Sequence, residues 1–308
     1  LTTELKIGVI GTGRLGTLHT RVYSEIPHVR LIGVSDVDTN KAAAIAQQYN
    51  TRVFNDPHAL LSEVDCLSIA TPTNTHFEIA KLAIFSKKHV LVEKPITSNL
   101  KEAKKLVSLA KRNKIILQVG HVERFNSAFI ALQKIALNPR FIECHRLSPF
   151  PNRSLDIGVV FDLMIHDIDI LLGIVNAKIA HIDAVGVSVL TPFEDIANVR
   201  LTFRNGCIAN LTASRISDEP MRKIRIFSKD TYISLDYQAQ EAFSYKKENG
   251  KITKELIPIE KEEPIKKEIE SFILCVRHNK KPVVSGLEAT EALKVATQIR
   301  KLIWKKRF

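Results

Sequence analysis

The sequence predicts an α/β protein: a doubly wound parallel sheet followed by an α+β domain with a large open mixed or antiparallel sheet. Three observations predict it. Over roughly the first 120 residues, short apolar β runs alternate with amphipathic helical patterns, the mark of a mostly parallel sheet covered on both faces. A glycine-rich turn, GTGRLG at 11–16, joins the first of these runs to the first helical pattern. Past that region the pattern changes to long alternating segments centred on Asn205-Gly206 and Asn249-Gly250, dipeptides that mark two-residue hairpin turns. The expected division is a first domain over 1–121 and a second over 122–308.

In chain order, strands are expected at 6–10, 31–35, 66–70, 90–93 and 115–119. Between them LGTLHTRVYSEI, TNKAAAIAQQY, THFEIAKLAIF and NLKEAKKLVSLAKR carry apolar residues at three- and four-residue spacing and read as helices. Asp38 in DTNK reads as a turn or helix-start residue. A further helical stretch is expected over 123–137. One strongly apolar helix, VVFDLMIHDIDILLGIV at 159–175, interrupts the second domain early, and two helical patterns close the chain.

Composition narrows the class. Of 308 residues, 45% are hydrophobic and 25% charged, with a net charge of +12, which suits a globular protein of two domains. The lysines of KEAKKLVSLAKRNK fall on polar positions of a helical pattern, and no nucleic-acid motif accompanies them, so nucleic acid is not an expected partner. No apolar run is long enough to span a bilayer, and LTTELKIGVIG enters a strand directly, so no membrane association and a cytoplasmic location are expected. Cys66, Cys144, Cys207 and Cys275 are far apart and read as reduced packing residues, with no metal site.

Gly11, Gly13 and Gly16 stand after the first strand and at the start of a helix. They suit a tight turn, close approach of backbone to a pyrophosphate, and close helix–strand packing. The residues Arg14 and Leu15 open a helix whose N–H groups and positive dipole end face the phosphates. Asp36 ends the second strand twenty residues after Gly16. Its carboxylate can accept from ribose hydroxyls and repels a 2′-phosphate, which favours NAD over NADP. In ATPTNTH, Thr71, Pro72, Asn74 and His76 connect the third strand to a helix at the ligand edge; cofactor contact and simple loop or capping roles stand level there. VLVEKP places Glu93 and Lys94 at a strand's carboxyl end, again the ligand edge.

The motifs GVIGTGRLG, ATPTNTH, VEKP, GHVERFN (120–126) and DLMIH (162–166), in this order along the chain, resemble the glucose-fructose oxidoreductase, inositol dehydrogenase and rhizopine-catabolism (Gfo/Idh/MocA) family. The resemblance implies a Rossmann domain, an α/β domain used for homodimer or homotetramer contacts, and nicotinamide-dependent oxidation or reduction of a sugar or polyol hydroxyl. It also implies that Lys94 stands beside the reacting carbinol, where an ammonium stabilises developing alkoxide, with Glu93 positioning it.

Asp162 and His166, at i and i+4, share a helix face, and the resemblance makes His166 the acid/base with Asp162 orienting it or binding another hydroxyl. Asp169 is a candidate supporting residue and Asp167 a solvated or structural one. His121, Arg124 and Asn126 follow the fifth strand; His121 and Arg124 are candidate substrate contacts, with a structural ion pair as the alternative for Arg124. Arg146 and Arg153 flank LSPFPN, and guanidinium forks there suit a diphosphate, ordinary loop arginines being the alternative. The stretch 143–172 resembles a nucleotide-sugar branch of the family, implying oxidation at C3 of a substrate such as UDP-N-acetylglucosamine. A free-sugar or inositol dehydrogenase and a noncatalytic NAD-binding regulator are the alternatives.

Overall fold

The computed structural model describes residues 4–135, 138–150, 157–248 and 250–305. By packing, the chain divides into two compact units, 1–122 with 263–290, and 123–262 with 291–308.

In the first unit the elements are β1 (Leu5–Ile10), α1 (Arg14–Glu25), β2 (Val29–Ser35), α2 (Thr39–Gln48), β3 (Arg52–Val53), α3 (Pro57–Glu63), β4 (Cys66–Ile69), α4 (Thr73–Phe85), β5 (His89–Glu93), α5 (Leu100–Asn113) and β6 (Leu117–Gly120). The six strands are all parallel, in the order β3-β2-β1-β4-β5-β6. The order reverses between β1 and β4, and ligands of open α/β sheets bind at the strand carboxyl ends beside such a reversal. The inner strands are buried over their carboxyl-terminal residues because helices cover both faces: Val90, Leu91 and Val92 have no exposed surface.

Local signals set the helix starts. Asp38 caps α2, its Oδ1 accepting from Lys41 N–H at 3.1 Å, and Asn99 caps α5 through Glu102 N–H at 3.0 Å. The edge strand β3 was not expected; two exposed residues carry no periodicity to read.

The division expected at 121 assigned everything beyond it to the second domain. The packing instead returns α8 (Pro264–His278) to the first unit. Ile265, Ile269, Phe272 and Ile273 of α8 share one apolar cluster with Val22 and Tyr23 of α1, and a long-range hydrophobic face of this kind has no local marker. Val119 N–H also donates to the Val284 carbonyl at 3.0 Å, continuing the unit past β6.

A 3-10 turn over Val122–Phe125 starts at the last residue of the first unit's opening segment, and the second unit continues with α6 (Ser127–Gln133), β7 (Phe141–Leu147), a π turn over Val160–Met164 that runs into α7 (Ile165–Ile174), β8 (Ile179–Val187), β9 (Ile196–Phe203), β10 (Ile208–Ser214), β11 (Met221–Phe227), β12 (Thr231–Asp236), β13 (Glu241–Glu248) and β14 (Lys251–Leu256). The last helix, α9 (Gly286–Lys305), has its first residues in the first unit and the remainder in the second. The eight strands run β14-β13-β12-β11-β7-β10-β9-β8, with β7 and β10 parallel and all other pairs antiparallel.

One sheet face is apolar and closed (Ile142, Cys144, Val199, Leu201, Leu211), as strict alternation along each strand requires. The other carries a stacked row of Phe141, Phe227, Tyr232 and Tyr245. Gly206 adopts φ 83° in the β9–β10 turn, as Asn205-Gly206 predicted; Asn249 lies outside the described residues. The helix expected over 123–137 is broken at Asn126, whose side chain instead caps α6 by accepting from Ala128 N–H at 3.1 Å.

Candidate active site

The glycine turn has the geometry a dinucleotide needs. Gly11 adopts φ 93°, and a Cβ there would lie 2.5 Å from the Ala70 carbonyl oxygen; a Cβ on Gly16 would lie 1.7 Å from the Gly11 oxygen. Around Gly13, by contrast, a Cβ would meet nothing within 4 Å, so the backbone is open to an approaching group. Gly13 begins α1 without any side-chain cap, leaving the first N–H groups of the helix for an anion. Arg14 is exposed and Leu15 half-buried beside them.

Asp36, at the end of β2, accepts from Thr12 N–H at 2.5 Å and Thr12 Oγ1 at 2.9 Å on one oxygen, and from Asp38 N–H at 2.9 Å on the other. Partial burial works against its charge, but these donors outweigh it and hold the carboxylate below its usual pKa. A carboxylate has about four lone-pair sites; three are taken, and one remains for a ribose hydroxyl. The residues present fit a dinucleotide.

At the end of β4, Thr71 is half-buried and Pro72 and Asn74 are exposed at the start of α4. His76 corrects the expectation of cofactor contact. Its ring is 1% exposed and packed between two ligand-edge loops, with Nδ1 2.9 Å from the Pro95 carbonyl oxygen and Nε2 2.9 Å from the Thr71 carbonyl oxygen, one of which accepts the single N–H of the neutral ring. Glu93 is buried as well, its Oε1 3.0 Å from His19 Nε2, and it accepts from Lys94 N–H at 3.3 Å. It therefore supports Lys94 from below, and direct cofactor contact is corrected to that role. Lys94 itself is half-buried.

In the second unit Asp162 is buried within the π turn, and His166 is half-buried one turn later in α7. The i, i+4 expectation assumed regular α geometry throughout; Asp162 instead lies in a π turn, and such turns concentrate at functional sites.

Two arginines expected at the substrate are buried in ion pairs. Arg146 is 3% exposed; its Nε and Nη2 donate to Asp167 at 3.0 and 2.8 Å, and its Nη1 to Glu123 at 2.7 Å. Burial works against its charge, but the carboxylates of Asp167 and Glu123 overcome this and hold it protonated well above the usual guanidinium value. Its fork is occupied, which corrects the diphosphate reading. Arg124, 9% exposed, donates through Nε to Asp169 at 2.7 Å, and a Cβ on Gly173 would lie 2.1 Å from its Nη1. Here the ion-pair alternative holds, and Asp167 and Asp169 are structural partners that anchor α7. His121 is 1% exposed, which does not support a substrate contact. Arg153 lies outside the described residues.

Residues that the sequence did not single out also converge on Glu93: His19 and Tyr23 of α1, Ser68 of β4 and Glu268 of α8. The one available signal was His19, a histidine at an inward position of the helical pattern just past the glycine turn.

A six-stranded parallel sheet with an open glycine turn at a helix start and a carboxylate closing the second strand is the class of fold that binds a nicotinamide dinucleotide. Residues 5–121 match the oxidoreductase family with an NAD-binding Rossmann fold, and residues 138–233 match the GFO/IDH/MocA C-terminal domain. The chain belongs to the GFO/IDH/MocA oxidoreductase family, and NAD is the cofactor of its first unit.

The UDP-N-acetylglucosamine 3-dehydrogenase of Acidithiobacillus ferrooxidans is 37% identical over 304 residues, 96% of each chain. A solved structure of that enzyme superposes with a TM-score of 0.93 over 97% of both chains. A myo-inositol 2-dehydrogenase of Thermotoga maritima is 27% identical over 98% of this chain and 97% of its own. Among the described residues no helix is long and apolar enough to cross a membrane.

Proposed function

We propose that the protein oxidises the C3 hydroxyl of a nucleotide sugar, UDP-N-acetylglucosamine, with NAD. The observation that carries this reading is whole-length similarity at 37% identity to a 3-dehydrogenase of that substrate, against 27% to an inositol dehydrogenase. NAD supplies the hydride acceptor when bound. Gly11, Gly13, Arg14, Leu15, Gly16, Asp36, Thr71, Pro72, Asn74 and Lys94 are the residues proposed to line it.

His166 takes the hydroxyl proton, a task suited to an imidazole, whose ring nitrogen can accept a proton and later return it. Lys94 holds the oxygen as negative charge develops on it, an effect that needs an oriented cation in a partly dry site. Asp162 orients the imidazole or holds a neighbouring hydroxyl. Arg153 remains the candidate for the diphosphate. The proposed setting is the cytoplasm, consistent with four free buried cysteines, and the proposed assembly is a homodimer or homotetramer through the open face of the second sheet.

The test is NADH formation with UDP-N-acetylglucosamine, UDP-glucose, free N-acetylglucosamine, glucose and myo-inositol at matched concentrations, with mass analysis of the product. The nucleotide sugar bearing the N-acetyl group is expected to react fastest and to lose two hydrogens. Faster turnover of a free sugar or inositol overturns the substrate, and no NADH from any of them overturns the dehydrogenase reading.

A further inference from the structure

Beneath Lys94 the first unit buries an unusual set of polar groups. His19 and Tyr23 come from α1, Ser68 and Cys66 from β4, Glu93 from β5, Gln118 from β6 and Glu268 from α8, and all are buried. His19 Nδ1 lies 2.8 Å from Ser68 Oγ, Tyr23 OH 3.1 Å from the same Oγ, and His19 Nε2 3.0 Å from Glu93 Oε1. Glu93 fits only because residue 120 is glycine: a Cβ there would stand 2.9 Å from its carboxyl carbon. Gln118 Nε2 donates to the Glu268 carbonyl at 3.0 Å. The Glu268 carboxyl is 0% exposed, and neither oxygen has a hydrogen-bond partner among the described residues. One ligand atom each from His19, Glu93 and Glu268 lies within 4.8 Å of the others.

Counting hydrogens selects one arrangement. Ser68 has a single O–H. If His19 gave Nδ1–H to Ser68 while neutral, its Nε2 would turn a lone pair toward the Glu93 carboxylate. If His19 carried both protons, Ser68 would donate to Tyr23, and the Tyr23 hydroxyl hydrogen would be buried without an acceptor, a costly state. One order satisfies all four groups of the chain: Tyr23 O–H donates to Ser68, Ser68 O–H donates to His19 Nδ1, and His19 Nε2–H donates to Glu93. Glu93 then carries the charge. A second ionised carboxylate this close, without donor or cation, would be untenable. Burial, reinforced by the neighbouring Glu93 charge, pushes the Glu268 carboxyl well above its usual pKa.

We propose that His19 is a positioning residue for Lys94, acting through Glu93, and that Glu268 closes the same buried cluster as a neutral acid delivered by α8. The chain of bonds fixes one rotamer of Glu93, and Glu93 accepts the Lys94 N–H, so the peptide that carries the ammonium is held in one orientation. The role in turnover rests on the dehydrogenase reading of Lys94; the hydrogen order does not.

The experiment therefore has two arms. In the kinetic arm, His19→Ala and Glu93→Gln are each expected to lower kcat roughly 10- to 100-fold, the scale of a small misplacement of a catalytic group, with little change in KM for NAD. The double variant is expected to lose no more than either single variant, and His19→Gln, whose amide N–H reaches for Glu93, to recover part of the rate.

In the spectroscopic arm, nitrogen NMR is expected to show the His19 ring carrying its one proton on Nε2, the tautomer that the hydrogen order requires. The infrared spectrum is expected to show a protonated-carboxyl band that Glu268→Gln removes. Additive losses, no rescue by glutamine, or wild-type kcat in His19→Ala overturns the positioning role while the dehydrogenase reading stands. A doubly protonated His19, no such carboxyl band, or a stoichiometric divalent metal in the purified protein overturns the hydrogen order. A wild-type protein that forms no NADH removes the positioning role together with the dehydrogenase reading, and the spectra then decide the cluster alone.

Discussion

Thr12 gives both its backbone N–H and its hydroxyl to the same oxygen of Asp36. The carboxylate that closes β2 is thereby locked against the glycine turn, with one lone pair left over for a ribose hydroxyl and no cation among its hydrogen-bond partners to welcome a 2′-phosphate. Asp36→Ala is expected to weaken NAD use much more than NADP use, measured as kcat/KM for each cofactor. Equal or better use of NADP by the unaltered protein contradicts the assignment.

Lys94→Ala and His166→Ala are each expected to lower kcat by roughly two to four orders of magnitude, the scale of oriented charge and acid/base contributions. NAD binding, followed by fluorescence of bound NADH, is expected to survive in both. Near-normal turnover in the two variants would remove them from the chemistry.

Arg146→Ala is expected to destabilise the fold by about 3–5 kcal/mol, because it strands the buried carboxylates of Asp167 and Glu123. Denaturant unfolding measures this. A folded variant of unchanged stability that has lost nucleotide binding would restore Arg146 to the substrate.

Asp195 is fully buried, its Oδ2 accepting the N–H groups of Val189, Leu190 and Thr191 and its Oδ1 accepting from Arg215 Nε at 2.9 Å. Burial opposes the charge, but the Thr191 hydroxyl and these N–H groups prevail and hold the carboxylate far below its usual pKa. A depressed folded pKa contributes stability above the unfolded value of about 4 and loses it as pH falls through the folded one. Unfolding free energy is expected to drop with acid from about pH 5 downward, and Asp195→Asn is expected to lower stability at neutral pH while flattening that slope. An unchanged acid profile in the variant would assign the loss to other carboxylates.

UDP alone is expected to compete with the nucleotide sugar, and less so as salt rises, since a charge-assisted contact at an exposed diphosphate is screened. Arg153→Ala is expected to abolish that competition without altering NAD affinity. Inhibition constants at low and high salt check both statements, and no competition at low salt would take the diphosphate out of the reading.

The first unit was legible because its signals are local. A strand that stops at Gly11, a helix that starts at Arg14 and a carboxylate at Asp36 are each fixed by neighbours a few positions away, so glycine geometry and apolar period sufficed. The same holds for the Asn205-Gly206 turn. Arg124 and Arg146 were the opposite case. An arginine beside a loop looks the same whether it faces solvent or a buried carboxylate, and only the fold brings Asp169 and Asp167 against them.

What the sequence determined by itself was the strand–helix alternation of the first unit, apart from β3 and α3, and the dinucleotide fingerprint; the family resemblance, rather than spacing or composition, named Lys94, Asp162 and His166 as the residues to test. Tertiary structure alone decided that α8 returns across the hairpin-rich region to the first unit, carrying Glu268 to the underside of β5, and that His19, Ser68 and Glu93 form one chain of bonds. The reason is physical. Hydrophobic faces are interchangeable along a sequence, so which helix covers which sheet depends on packing among segments hundreds of residues apart. A buried polar group shows its purpose only once its partners are in place.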